Sequence, residues 1–156
     1  VGGGEGVFLR AVQARWPHMR TRLFDLPSVV MRAKAGGYEG ECIGGDFLAD
    51  RLPAGADLIS FVRVLHDHDD KDVGRLLSST RQALAPRGRV LIAEPMVGRD
   101  RFATAYLAMY LLAMGKGRPR SPIELKAMLS AAGFGKVRML RVRTPLLLRV
   151  MVAEAA

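Results

Sequence analysis

The chain has 156 residues, 49% of them hydrophobic, and a formal net charge of +9. That length suits one domain with a buried core, and no apolar run reaches the ~18 residues of a membrane span. A single cysteine, Cys42, excludes an internal disulfide, and with no visible signal peptide it points to a reducing, cytoplasmic setting.

The elements alternate. After a glycine-rich start, Val7 to Arg15 reads as a helix, and Pro17 breaks the chain before a strand from Thr21 to Phe24 that ends at Asp25. Leu26-Pro27-Ser28 opens a helix to about Lys34, stopped by Gly36-Gly37. Glu39 to Ile43 is the next strand, closed by Gly44-Gly45-Asp46. Ala56 to Val64 is the clearest buried strand, and Asp69 or Asp70 then caps a helix running to about Leu84. Ala85-Pro86-Arg87-Gly88 reads as a turn before an apolar strand, Arg89 to Ala93. Phe102 to Met114 reads as a buried helix, Ser121-Pro122 starts another that Gly133 ends, and Val137–Val142 with Leu147–Val152 form a closing antiparallel pair. Such alternation predicts an α/β fold on a largely parallel sheet, as one domain over 1–156.

Positive charge comes from 19 Arg and 5 Lys, scattered along the chain. The densest cluster, Lys116, Arg118 and Arg120, has no interleaved aromatics, so it reads as solvated surface with no nucleic-acid role. Weak attraction to an anionic membrane surface stays open.

Chemistry concentrates at strand ends. Val1-Gly2-Gly3-Gly4-Glu5-Gly6 is a G-x-G-x-G loop, and Asp25 follows 19 positions after Gly6. Gly2, Gly4 and Gly6 allow a sharp turn and close approach of a ligand, and the following helix aims its amides at the same place. Asp25 can then accept both hydroxyls of a ribose. The third glycine comes one residue earlier than in dinucleotide loops, and Glu5 would repel a pyrophosphate, which favours S-adenosylmethionine (SAM). None of Tyr38, Tyr106 or Tyr110 has a lysine four residues on, as a short-chain reductase would need.

Asp25, Asp46, His66 and Glu94 each follow an apolar strand, where ligands of an open parallel sheet bind, so all four are expected in one site. Within His66-Asp67-His68-Asp69-Asp70, residues so close in sequence rarely converge on one ion and the aspartates serve better as helix caps, so no metal is expected. His66 is the candidate general base.

These residues carry a resemblance. Val1–Gly6, Phe24-Asp25-Leu26-Pro27, Gly44-Gly45-Asp46-Phe47, Leu65-His66-Asp67 with Asp70, and Ala93-Glu94-Pro95 together resemble the class I methyltransferase domain of plant caffeate-type and bacterial small-molecule O-methyltransferases. His66–Asp70 and the stretch 113–121 look most similar to the bacterial carotenoid hydroxyl methyltransferases, which act on hydroxyneurosporene or demethylspheroidene. The resemblance implies a Rossmann-like, doubly wound, seven-stranded sheet. It also implies SAM, with Gly2, Gly4 and Gly6 at its tail and ribose, Asp25 on the ribose hydroxyls, Leu26 packing on the adenine, and Asp46 and Phe47 contacting the adenine. His66 would be the base, with Asp67 beside it and Glu94 orienting its ring.

Two positions depart from the plant pattern. A lysine near the adenine is Val62 here, with Arg63 next to it, and a second glutamate flanking the histidine is Pro119. A binding or regulatory protein that has lost its chemistry therefore stays open as an alternative, and a nicotinamide dehydrogenase is a third reading. The apolar helix with Met109, Tyr110 and Met114, and Met96 nearby, is a candidate wall for an apolar hydroxylated acceptor. A chain without an initiator methionine that opens inside a motif is expected to be an excerpt. The resemblance implies a preceding central strand and an N-terminal helical region that makes a homodimer. Alone, the excerpt is expected to present two unpaired strand edges and to aggregate.

Overall fold

A computed structural model describes residues 1–97, 101–142 and 148–156. The chain forms two compact units, Val1–Pro53 and Ala54–Ala156.

The first unit runs α1 (Val7–Arg15), β1 (Arg22–Asp25), α2 (Pro27–Ala35) and β2 (Glu41–Gly44). β1 and β2 pair in parallel, with Asp25 opposite Gly44, so both strands deliver their next residues to the same end. Leu23, Val30, Ala33 and Tyr38 make the small core, and Cys42 packs half-buried against it. Pro27 sits in the first turn of α2, where its missing N–H costs nothing.

The second unit holds β3 (Ala56–Val62), α3 (Asp70–Ala83), β4 (Leu84–Glu94), α4 (Arg101–Met114), α5 (Pro122–Ala131), β5 (Phe134–Leu140) and β6 (Arg149–Ala155). Its sheet has the order β3-β4-β6-β5: β3 and β4 are parallel, while β6 runs antiparallel to both neighbours. The closing antiparallel pair is thus present, with β5 starting at Phe134 and β6 running to Ala155; Leu147 lies outside the described residues. Among the described residues, β1 and β3 each stand at the edge of their own sheet.

Three elements differ from expectation. β3 stops at Val62, two residues early, because Arg63 takes a left-handed φ of 57° that ends the extended run. The turn at Ala85–Gly88 is absorbed into β4 as an irregularity: Leu84 pairs with Ala56, Arg89 with Leu58, and the four residues between bow out around Pro86 and a left-handed Arg87. The third is α4, expected to be buried. Leu111 is buried, but Tyr106, Met109 and Leu112 are 75%, 72% and 82% exposed, because no described residue covers that face.

Candidate functional site

In the first unit the glycine loop folds back on the end of β1. Gly2, Gly4 and Gly6 all lie in the left-handed region, at φ 62°, 55° and 78°, which is why this turn requires glycines. The Gly2 N–H donates to the Phe24 carbonyl (2.9 Å), and the Gly4 N–H to Asp25 Oδ2 (2.8 Å). The Leu26 N–H donates to Asp25 Oδ1 (2.8 Å). Each oxygen of the half-buried Asp25 is therefore held by one amide, and each keeps a lone pair for another donor.

The glycines are not equivalent. A Cβ on Gly6 would press on the Tyr38 ring at 3.0 Å, so Gly6 serves packing. A Cβ on Gly4 would meet nothing within 4 Å among the described residues, so Gly4 faces open space beside the Asp25 carboxylate. Leu26 is 49% exposed despite being apolar. Past β2, Asp46 Oδ1 accepts from the Leu48 N–H (2.8 Å) and the Asp46 N–H donates to Asp50 Oδ2 (2.8 Å), a local turn that also positions the half-buried Phe47.

In the second unit the left-handed Arg63 redirects the chain into a single 3₁₀ turn, Leu65–Asp67. Glu94, 2% exposed at the end of β4, receives it. Its Oε1 accepts from the Val64 and Leu65 amides (2.7 and 2.8 Å), and its Oε2 lies 2.5 Å from His66 Nδ1. A carboxylate on Nδ1 holds the proton there and leaves Nε2 as the basic nitrogen. His66 is itself buried, and Asp67 Oδ1 lies 3.2 Å from Nε2, placed to stabilise a proton that arrives there. Structure and expectation agree that His66, Asp67 and Glu94 come together.

The rest of the acidic run is used structurally. Asp69 caps α3, accepting from the Asp72 N–H (2.8 Å). Asp70 binds arginines: Arg118 contacts both its oxygens (3.1 and 2.8 Å), and Arg120 Nε donates to Oδ1 (2.9 Å). Hydrogen bonds from Arg118 come first among the causes that hold the Asp70 carboxyl below its ordinary range.

This corrects the reading of 116–120 as a solvated loop. Arg120 is 2% exposed; besides Asp70 it donates to the Leu65 carbonyl (2.8 Å) and the His68 carbonyl (2.7 Å). Arg118 also reaches Glu124 Oε1 (2.8 Å). Glu124 closes a capping box with Ser121 at the start of α5, so that loop is fixed at its far end too. Sequence reasoning missed Arg120 because its partners lie about fifty residues away; the available signal was a basic cluster matched by an acidic run.

Leu65, His66, Glu94, Pro95, Arg120 and Leu125 line one small pocket around the imidazole. The strand-end acid beside a glycine turn and the glutamate-backed histidine both lie within one family match. A family model described as an O-methyltransferase domain matches residues 1–135. The chain belongs to that family. It is 45% identical over 157 residues to the demethylspheroidene O-methyltransferase of Rhodobacter capsulatus, covering 99% of this chain and 40% of that protein. Human N-acetylserotonin methyltransferase, solved in complex with SAM, superposes with a TM-score of 0.91 at 28% identity, covering all of this chain and 46% of that one. The methyltransferase of calicheamicin biosynthesis, in its SAH-bound form, gives 0.86 at 30% identity, with 100% and 47% covered. The mixed α/β fold is therefore that of the SAM-dependent methyltransferases, and the chain spans less than half the length of these relatives.

Proposed function

We propose that this chain is the catalytic portion of a SAM-dependent O-methyltransferase whose acceptor is a hydroxyl on an apolar small molecule, a hydroxylated carotenoid of the demethylspheroidene kind. The observation that carries the reading is the buried His66–Glu94 pair, a base oriented for one proton transfer, in a chain of this family. The first unit fits the cofactor: an anchored Asp25 carboxylate offers acceptors to ribose hydroxyls, and the space beside Gly4 admits a ligand. Exposed Leu26 offers the adenine an apolar face, with Asp46 and Phe47 at the neighbouring strand end.

When bound, SAM supplies an electrophilic sulfonium methyl. This chain's residues prepare the oxygen that attacks it. An aliphatic hydroxyl is about as weak an acid as water, so His66 Nε2 must take the proton as the new bond forms. Glu94 fixes the tautomer that makes Nε2 the acceptor, and Asp67 offsets the positive charge that results. The exposed apolar side chains of α4, Met109 and Tyr110, with half-buried Met96, suit a hydrocarbon acceptor; the side chain of Met114 lies outside the described residues. Such an acceptor resides in a membrane, and the +9 charge favours peripheral contact with an anionic surface.

The test uses the full-length protein, hydroxylated carotenoids and SAM carrying a labelled methyl group. A methyl mass gain on the carotenoid hydroxyl is expected, together with calorimetric binding of SAM and of its demethylated product. Cofactor binding without transfer to any hydroxylated acceptor would convert the assignment to a binding protein. Binding of a nicotinamide cofactor instead would replace it.

A further inference from the structure

The 3₁₀ turn that carries His66 is gripped at both ends by opposite charges. At its amide end Glu94 accepts from the Val64 and Leu65 N–H groups. The Arg120 guanidinium spans the turn, donating to the Leu65 carbonyl at its start and the His68 carbonyl just past its end, on either side of His66 in the chain. A one-turn helix has few hydrogen bonds of its own: the Leu65 carbonyl accepts from the His68 N–H at 3.3 Å, and Arg120 joins that carbonyl while Glu94 takes the Val64 and Leu65 amides, so these side chains fix its shape. Gly117, left-handed at φ 83°, brings the same loop into direct contact: a Cβ there would overlap the His66 carbonyl oxygen and come within 2.7 Å of the Asp67 carbonyl carbon.

We infer that Arg120, with Gly117, is a positioning residue for the base: it sets the turn so that Glu94 can hold the His66 ring and Nε2 faces the acceptor. This rests on His66 being the base. Asp70 neutralises the buried guanidinium, so Arg120 reaches those carbonyls without being left as an unpaired charge. A lysine has the charge but not the planar fork needed to reach Asp70 and two carbonyls at once.

The experiment compares full-length Arg120→Met, Arg120→Lys and Gly117→Ala with His66→Ala. The imidazole is read by nitrogen NMR, its signal assigned by loss in His66→Gln. A shift of about 1 Å in the base can cost ~10²-fold in rate. Arg120→Met is therefore expected to lower kcat by about that factor, with SAM affinity unchanged. The His66 spectrum should change from one Nδ1–H tautomer to an average, and Arg120→Lys should recover only part of the loss. Gly117→Ala, which keeps every arginine, should lower kcat in the same direction, and it decides the matter should Arg120→Met fail to fold. Wild-type kcat and an unaltered His66 spectrum in folded Arg120→Lys and Gly117→Ala would overturn the inference while leaving His66 as the base. If His66→Ala turns over normally, the inference falls along with the base assignment, and the two failures are told apart.

Discussion

In Val1–Pro53 the cradle is made of main chain: three left-handed glycines, two amides on Asp25, and exposed Leu26. In Ala54–Ala156 the histidine turn is made of side chains, with Glu94, Arg120 and His66 all nearly excluded from solvent. The first construction suits a ligand that arrives with its own polar groups and needs acceptors and room. The second suits a proton transfer, because burial and paired charges fix one nitrogen in one state. If this division holds, variants in the first unit should change cofactor affinity and spare turnover at saturation, and variants in the second should do the reverse.

The largest effect is expected at His66. His66→Ala should lower kcat by ~10²–10⁴-fold, the usual contribution of a positioned base. Binding of SAM, measured by calorimetry, should stay near wild type. Equal losses in both quantities would show that the two constructions are not separable.

Asp25→Asn comes next. Asparagine has one carbonyl oxygen where two amides now donate, so its NH₂ must face a donor, and the charge that ribose hydroxyls would meet is gone. Hydrogen bonds to charged groups contribute about 1.5–3 kcal/mol, so Kd for SAM should rise roughly ten- to hundredfold. Turnover at saturating cofactor should survive. Lost turnover with normal binding would put Asp25 in the chemistry.

How much of this could be read from the amino acids follows the same division. The cradle is contiguous apart from one aspartate, and glycine at alternate positions announces its backbone, so Gly2, Gly4, Gly6 and Asp25 were visible at once. His66 and Glu94 were visible because each follows an apolar strand, and parallel pairing of β3 with β4 brings those ends side by side. Arg120 was not, since a guanidinium that caps carbonyls some fifty residues away leaves no local pattern. The apolar composition of α4 was legible, but composition reports what a helix would bury and not whether anything covers it.

The glycines sharpen the picture with a smaller effect. Alanine in the left-handed region costs about 1–2 kcal/mol at either position. At Gly6 the new methyl also meets Tyr38, so Gly6→Ala should lower the melting temperature more. At Gly4 the methyl meets no atom of the described residues within 4 Å, so Gly4→Ala should weaken SAM binding beyond what its stability change explains. The same affinity for both variants would mean that the space beside Gly4 is not where the ligand lies.

The smallest effect concerns the loop that carries Arg118 and Arg120. Glu124 is held down at about 2 from an ordinary 4.5, first by the Ser121 amide, then by the Ser121 hydroxyl and Arg118. A carboxyl with a depressed folded-state pKa stabilises the fold fully above its unfolded value and loses that contribution as pH falls through the folded one. Glu124→Gln should therefore melt below wild type at pH 7, by no more than about 4 °C because the group is largely solvated. The gap should narrow as pH drops from about 4.5 toward 2. Since Arg118 ties Glu124 to Asp70 and Arg120 shares Asp70, loosening this clasp should reach the His66 turn only weakly, through Arg120. A kcat for Glu124→Gln close to wild type, beside a large loss in Arg120→Met, would separate fastening the loop from aiming the base.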